Sequence, residues 1–503
     1  MSLFKDIIVP ELNLTYNQPL GLFINNEFVK SSDDATIETS NPSTGEPIAK
    51  FYAASHKDID NAVKAARLAY QETWSKTTPA DRGILLSKLY DLINEHKDVI
   101  AAIDSIDSGK PYHTNALGDL EQILELTRYF SGASDKYVKG QYIPVNNDKY
   151  ALVVREPFGV VAQIVPWNYP AAMASWKIQG CLAAGNCIVI KPAENTSLSL
   201  LYMAQLFKKA GFPPGVLNVV PGYGNIAGSA LAEHMDIDKI AFTGSTAVGK
   251  KIMSMAALSN LKNVTLECGG KSPAVVFKDS NLDEAVKWIS MGIFYNSGQN
   301  CTANSRILVE NSVYDVFIKK FVKYVAENWN ISPNIFDKNC QVGPVVSKVQ
   351  YDRVIGYVNE GKKTLNYKCL NNPETVNECS KRGYFIPPTI FLDVPSTSKL
   401  FQEEIFGPVG VITKFSNYDE AVSLANDTSY GLAAAVFSEN VRVINQFAKD
   451  VRAGTVWCNS SNEEEVSCPF GGYKMSGIGR ELGESGMDAY METKCIHMNI
   501  SNL

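Results

Sequence analysis

Three side chains of this sequence have the types that acyl chemistry through a cysteine needs, and each stands at the edge of an apolar segment. Cys301 lies in Asn296-Ser-Gly-Gln-Asn-Cys-Thr-Ala-Asn-Ser-Arg306, a polar turn between apolar Met291–Tyr295 and strand-like Ile307–Glu310. Such a turn can present a thiol to a cleft, where its thiolate is a nucleophile. The alternative is a small buried core residue, the usual role of a free cysteine. Glu267 closes the apolar run Val264–Glu267 just before Cys268-Gly-Gly-Lys271. A carboxylate there is costly unless it is paired, hydrated or functional. Asn168, in Pro166-Trp-Asn-Tyr-Pro170, sets a side-chain amide at the tip of another strand. Amide donors at such points can stabilise an oxyanion.

An electron acceptor would need a nucleotide site, and candidates for one surround these residues. Gly222-Tyr-Gly224-Asn-Ile-Ala227 follows a strand and opens a helix, as a dinucleotide fingerprint does, although no clear acidic residue follows it. Lys191-Pro-Ala-Glu194 is a better candidate for ribose contact. A carboxylate there can accept from both ribose hydroxyls and repels a 2′-phosphate, favouring NAD over NADP; a salt-bridged surface pair is the alternative. Phe242-Thr-Gly-Ser245 runs into a helix whose free N–H groups suit a pyrophosphate. A helix simply capped by Ser245 or Thr246 would read the same way.

The elements that must position these groups follow from hydrophobic periodicity. From Gly159 onward, strand-like runs at Val160–Val165, Ile188–Lys191, Val216–Val220, Lys239–Phe242 and Val264–Glu267 alternate with helical stretches near 170–184, 197–210, 225–234 and 246–256. That alternation predicts an open parallel sheet with helices on both faces, binding ligands beyond the carboxyl ends of its strands. A second α/β stretch follows Gly269, with strands at Ala274–Phe277, Ile307–Glu310, Thr389–Leu392, Gly410–Phe415, Ala433–Phe437 and Gly454–Trp457. Its helices are expected near 281–296, 313–328 and 418–426, and Lys368–Lys381 reads as a polar surface excursion. Upstream, amphipathic helices are expected near Ala80–Asp104 and Leu117–Tyr137, after an irregular, short-stranded first fifty residues. Gly140–Arg155 alternates like an exposed strand or hairpin, and Ala489–Ile500 could pair with it.

Composition narrows the function classes. At 503 residues the chain exceeds one hydrophobic core. A net charge of −6, with scattered bases, gives no support to nucleic-acid or anionic-membrane binding. Ten cysteines without a C-x-x-C pair, and five histidines without ligand spacing, argue against a metal site and for a reducing, cytoplasmic setting. The opening residues lack the pattern of a targeting segment, and the apolar window Phe158–Ile190 is too interrupted to span a membrane.

Taken in order, Pro166-Trp-Asn-Tyr-Pro170, Lys191-Pro-Ala-Glu194, Phe242-Thr-Gly-Ser245, Leu266-Glu-Cys-Gly-Gly-Lys271, Gly298-Gln-Asn-Cys301, Glu403-Glu-Ile-Phe-Gly-Pro408 and Pro469-Phe-Gly-Gly-Tyr-Lys-Met-Ser-Gly477 resemble the NAD(P)-dependent aldehyde dehydrogenase superfamily. The resemblance covers essentially the whole chain and is nearest to fungal cytosolic enzymes related to the class 1/2 branch. It implies a Rossmann-type α/β fold with a cofactor domain at 1–138 and 156–267 and a catalytic domain at 268–478. Segments 139–155 and 479–503 would then join subunits into a dimer or tetramer.

By the same resemblance Cys301 is the nucleophile, Glu267 the general base and Asn168 an oxyanion donor beside the Cys301 N–H. Lys191 and Glu194 would hold the adenosine ribose, Ser245 and its neighbours the pyrophosphate, and Glu404, ahead of Phe406, the nicotinamide ribose. Ile164, Val165, Trp167, Gly224, Gly228, Phe242, Gly244, Val248, Gly269 and Gln350 complete the implied cofactor site. Lys177 and Glu481 would form a proton exit behind the base. The implied reaction is attack of the thiolate on an aldehyde, hydride loss to NAD, and hydrolysis of the thioester to an acid.

Two departures bear on function. Cys268 stands where many relatives have leucine, adding a second oxidisable thiol. Asn459-Ser-Ser-Asn-Glu463-Glu464-Glu465 is unusually acidic for the loop at the substrate mouth, which suggests cationic aminoaldehydes such as 3-aminopropanal; a solvated loop is the alternative. Tyr169, Trp176, Tyr295, Phe470 and Glu463 are the expected pocket residues. A semialdehyde dehydrogenase, an idle structural protein of this fold and a cofactor-free thiol esterase remain as rival readings.

Overall fold

The computed structural model describes residues 1–371 and 373–501. Its largest sheet runs, edge to edge, Gly477–Ile478, Asn263–Glu267, Lys239–Thr243, Val160–Ile164, Cys187–Lys191, Leu217–Val219, Leu22–Ile24 and Glu27–Val29. The five strands between residues 160 and 267 pair in parallel, and the flanking ones are antiparallel. Chain order runs outward in both directions from Val160–Ile164, so it reverses between that strand and Lys239–Thr243. A crevice opens at the carboxyl ends of the strands at such a reversal.

The sheet is covered on both faces, which is why its strands read as near-continuous apolar runs. Every residue of Val160–Ile164, Cys187–Lys191 and Lys239–Thr243 is buried. Helix Pro170–Ala184 is buried at every position, packed between this sheet and helix Leu117–Ala133. Helix Pro79–Ser108 starts on a Thr78/Asp81 capping box, with Pro79 in its first turn, and stops at Gly109, whose φ is 82°.

A second sheet has the order Asn366–Cys369, Thr389–Leu392, Val409–Phe415, Arg306–Glu310, Pro273–Val276, Ala433–Phe437, Thr455–Cys458, parallel except at its first strand. A third joins Met491–Asn499 antiparallel to Lys149–Pro157, which also pairs with Gln141–Asn146. The tail therefore pairs with the 140–155 ribbon, and Tyr142, Ile143, Val145, Ile496 and Met498 stand exposed on it.

Several elements differ from the sequence expectation. The stretch expected as a helix over 225–234 begins as a wide π turn, Gly224–Gly228, and only Ser229–Glu233 is α-helical. The Lys368–Lys381 excursion is largely exposed, but it holds a strand end and helix Pro373–Ser380. Helices Lys348–Gly361 and Val441–Asp450 were not expected. The first buries few of its residues, and the second alternates apolar with polar side chains yet buries Phe447 alone.

Candidate active site

The turn carrying Cys301 is held in a costly conformation. After helix Leu282–Phe294, Asn296, Ser297 and Gly298 all take left-handed backbone angles, with φ of 50°, 57° and 70°. Only glycine fits the third position, because a Cβ there would lie 2.1 Å from the Gly407 carbonyl. The two non-glycine residues cost about 1 kcal/mol or more each, and buried hydrogen bonds offset this. Ser297 Oγ donates to Gly343 O at 2.8 Å, Val346 N–H to Gln299 Oε1 at 2.9 Å, and Asn296 Nδ2 to the Asn168 carbonyl at 2.8 Å. Asn168 Nδ2 in turn donates to Gln299 O at 2.9 Å. Asn168 and the Cys301 turn are thus tied together.

On one side of Cys301 lies a groove of about 420 Å³, at the crevice where the strand order reverses. The tip of the first parallel strand supplies Ile164, Val165, Trp167 and Asn168, and the second supplies Lys191 and Glu194. Gly224 and Gly228 come from the π turn, Phe242, Gly244, Ser245 and Val248 from the fourth strand and its helix, and Glu267 and Gly269 from the fifth. Gln350, Glu404 and Phe406 close the groove from the second sheet, with Arg353 beside them. Every residue of the cofactor set implied by the resemblance lines this one groove.

The details suit a nucleotide. Glu194 Oε1 accepts from Gly224 N–H at 2.6 Å and lies 3.6 Å from Lys191 Nζ. Burial pulls the Lys191 ammonium down, and Glu194 opposes this. Ser245 caps helix Thr246–Ser259 by accepting from Val248 N–H, leaving the helix start facing the groove. Gly222, by contrast, packs against Ala227 and Ala54 and does not line the groove. Glu404 Oε1 accepts from Gly270 N–H at 2.9 Å, and its carboxylate packs so close that a Cβ on Gly269 would lie 2.3 Å from Oε2. Phe406 has a φ of 61° and stands edge-on to Trp167 at 5.2 Å. Gln350 Nε2 fixes it by donating to its carbonyl at 2.7 Å. An adenine dinucleotide, with its two riboses and pyrophosphate, fits this set of carboxylates, helix start and ring faces.

On the other side of Cys301 a tunnel of about 520 Å³ leads outward. Tyr169, Trp176, Tyr295 and Phe470 line it. Trp176 is both core and wall: it is 5% exposed, stands edge-on to Phe470 at 5.3 Å, and donates from Nε1 to Gln122 Oε1 at 3.0 Å. Glu463 does not line the tunnel; Glu464 does. The Trp457 indole N–H pins the Glu463 carbonyl at 2.9 Å, leaving the Glu463 side chain exposed, while the next residue turns inward. The Glu464 carboxyl is pushed up to about 7, by burial first and then by Asp119 and Glu463. Asp119, Glu121, Gln122, Glu125, Met291, Thr302 and Asn462 also line the tunnel. Four come from the helix Leu117–Ala133 and the others from separate elements, and none stands in a short motif.

Glu267 stands between the two cavities. It ends the strand Asn263–Glu267, which the short strand Gly477–Ile478 clamps from the sheet edge, aided by Cys268 N–H donating to Ser476 O at 2.9 Å. Both its carboxylate oxygens are buried without a hydrogen-bond partner. Its carboxyl is pushed up to about 8 by burial first and by Glu481 next, with Lys177 opposing. Lys177 and Glu481 form a buried ion pair behind it, and one Glu481 oxygen has no partner. The Cys301 thiol is held well above the ordinary thiol range by burial, then by the Glu267 charge. Cys268 is buried against Gly249 and lines the groove. Among the described residues no cluster could hold a metal ion, and no helix is long and apolar enough to cross a membrane.

An open parallel sheet with a nucleotide-shaped groove, meeting a tunnel at a thiol and an orphaned carboxylate, defines a dehydrogenase-type α/β enzyme. The family model described as "Aldehyde dehydrogenase family" matches residues 28–496. Aldehyde dehydrogenase [NAD(P)+] 1 and 2 of Saccharomyces cerevisiae are 61% and 58% identical, each over 99% of both chains. An NAD+ complex of aldehyde dehydrogenase from Bacillus cereus superposes with a TM-score of 0.92 at 44% identity, covering 99% of this chain and 100% of that one. Betaine aldehyde dehydrogenase from Staphylococcus aureus, in complex with NAD+, gives 0.92 at 35% identity, covering 97% and 96%. The chain belongs to the aldehyde dehydrogenase family and is an oxidoreductase acting on aldehydes.

Proposed function

We propose that this enzyme oxidises an aldehyde to a carboxylic acid with NAD, through a thioester on Cys301. The observation that carries the reading is that Cys301 and Glu267 line both the groove and the tunnel. Nucleophile and base therefore face cofactor and substrate at once. The nucleotide, when bound, accepts hydride; all other steps fall to the chain's own residues.

The aldehyde carbon is attacked by Cys301 Sγ, whose proton passes to Glu267, the carboxylate that borders both cavities with it. A carboxylate pushed up to about 8 holds a proton better than an ordinary one and is the better base for it. The oxyanion that forms is met by Asn168 Nδ2 and the Cys301 N–H. During or after hydride loss, Glu267 passes the thiol proton to the Lys177–Glu481 pair behind it and is a carboxylate again. It then draws a proton from the water that cleaves the thioester and releases it by the same route. Glu194 supports NAD over NADP, since its carboxylate would face a 2′-phosphate; the yeast relatives are named for both nucleotides.

For the substrate, the tunnel favours a short aldehyde bearing a cation. Glu464 is the loop's inward carboxylate, flanked by Tyr169 and Tyr295, and aromatic faces with a carboxylate attract an ammonium group. Residues 1–138 and 156–267 form the cofactor domain and 268–478 the catalytic domain, and each lends residues to both cavities. The ribbon with its exposed apolar residues is the subunit contact of a dimer or tetramer, and ten free cysteines fit a cytoplasmic setting. The direct test is the NADH or NADPH absorbance that follows addition of 3-aminopropanal, propanal and a semialdehyde with each nucleotide. NADH with 3-aminopropanal ahead of the others is expected; no reduced nucleotide with any aldehyde would falsify the reading.

A further inference from the structure

Behind the tunnel wall lies a buried ion pair that takes no part in the chemistry above. Just past Gly109, Lys110 sends its side chain into the interior, where none of it is exposed. Its ammonium meets the Asp119 carboxylate, whose side chain is 7% exposed. It also lies 4.3 Å from the centroid of the Tyr169 ring. Asp119 and Tyr169 line the tunnel, whereas Lys110 does not. A fully buried ammonium is costly unless a carboxylate and further contacts compensate it, and here the carboxylate and the ring face do so.

We propose that Lys110 is a positioning residue that sets the charge and shape of the substrate tunnel from behind its wall. It cancels the charge that Asp119 would otherwise present to a substrate, and it holds the Tyr169 ring in place. Glu464 is then left as the acidic loop's inward carboxylate with no cation among the described residues acting on it, while Glu125, also on the tunnel, is solvent-exposed. Glu121, by contrast, is paired outward with Lys97. Tyr169 adjoins Asn168 in sequence and begins helix Pro170–Ala184, so loosening the ring also disturbs the substrate's seat.

The inference rests on the tunnel being the substrate channel, and opposite-signed variants test it. Lys110→Met keeps the stem and unmasks Asp119, while Asp119→Asn unmasks Lys110. The readout is the ratio of kcat/KM for 3-aminopropanal to that for propanal. It is measured toward the alkaline end of the assay range, because burial raises the Asp119 carboxyl and Lys110 opposes this. Lys110→Met should raise this ratio by roughly threefold or more, Asp119→Asn should lower it by a similar factor, and the double variant should return close to wild type. Lys110→Met should also raise KM for propanal more than it lowers kcat. A purely structural pair would depress both substrates alike in both variants, and equal or same-signed shifts overturn the proposal. If Lys110→Met fails to fold, Asp119→Asn decides alone, and an unchanged ratio overturns the proposal. Wild-type protein that oxidises neither aldehyde would instead overturn the enzymatic reading itself, which that control shows before any variant is measured.

Discussion

The two cavities that meet at Cys301 are built by different means. The groove is made of strand tips: Lys191 and Glu194, Phe242 to Ser245, Glu267 and Gly269 all lie at carboxyl ends of strands or in the turns just beyond them. The tunnel is made of side chains from helices and a loop: Asp119 and Gln122 from one helix, Trp176 from a second, Met291 from a third, and Glu464 from the loop after Thr455–Cys458. A sheet's strand ends are held by a ladder on either side, so the groove's geometry follows from the fold. Tunnel side chains can vary without disturbing any ladder. On the proposed reading, the groove therefore states the reaction and the tunnel the substrate.

The largest effect should come from the shared wall. Cys301→Ala removes the nucleophile from both cavities at once and should lower kcat by about 10⁴-fold or more. NAD binding, followed by calorimetry, should be nearly unchanged, because the groove's other contacts remain. Lost NAD affinity of the same size would mean that groove and tunnel are not separable.

Glu267→Gln comes next. Its loss should slow thioester hydrolysis by about 10² to 10³-fold, leaving a first-turnover burst of NADH in stopped flow. The pH dependence has a definite sign. A base must be deprotonated, and the Glu267 carboxyl is pushed up to about 8. In the wild type the hydrolysis rate should rise with pH through about 8, and in the variant that limb should vanish.

The same contrast decides what the sequence revealed. Strand ends buried on both faces read as apolar runs, and the polar residues directly after them, such as Glu194, Ser245 and Glu267, stand out by position. Groove residues could therefore be named by motif, down to Glu404 and Phe406 far along the chain. The left-handed angle of Phe406 leaves no mark in sequence, since it is imposed by Gln350 and the packing around it. In the tunnel, Asp119 and Gln122 look like ordinary polar positions of an amphipathic helix. Only the packing of Leu117–Ala133 against Pro170–Ala184 turns them toward Cys301. Glu463 and Glu464 look alike in sequence for a similar reason. In an unpatterned loop, one residue of register decides which carboxylate faces in, and a single hydrogen bond from Trp457 sets that register.

On the groove side, Glu194→Gln removes a charge while keeping the acceptor for Gly224 N–H. The kcat/KM preference for NAD over NADP should fall about tenfold, near 1.4 kcal/mol, mostly through better use of NADP. An unchanged preference would place nucleotide selection elsewhere in the groove. Because Glu194 is remote from Cys301, kcat with NAD should move little.

The smallest expected effect is on the tunnel side, and it separates the two regions most sharply. Glu464→Gln leaves the tunnel's shape intact and deletes its inward charge. Because the Glu464 carboxyl is pushed up to about 7, it is only partly ionised at neutral pH, so its pull on an ammonium group is modest there and grows as pH rises. At pH 7 the ratio of kcat/KM for 3-aminopropanal to propanal should fall about two- to threefold, and at pH 8.5, roughly a unit and a half above that midpoint, by up to about twice as much. Propanal itself should be indifferent to the substitution at both pH values, and so should the NAD-to-NADP preference. A ratio that falls equally at both pH values would show that the effect is steric. No fall at either would leave the aromatic walls, and not the acidic loop, as the part of the tunnel that chooses the aldehyde.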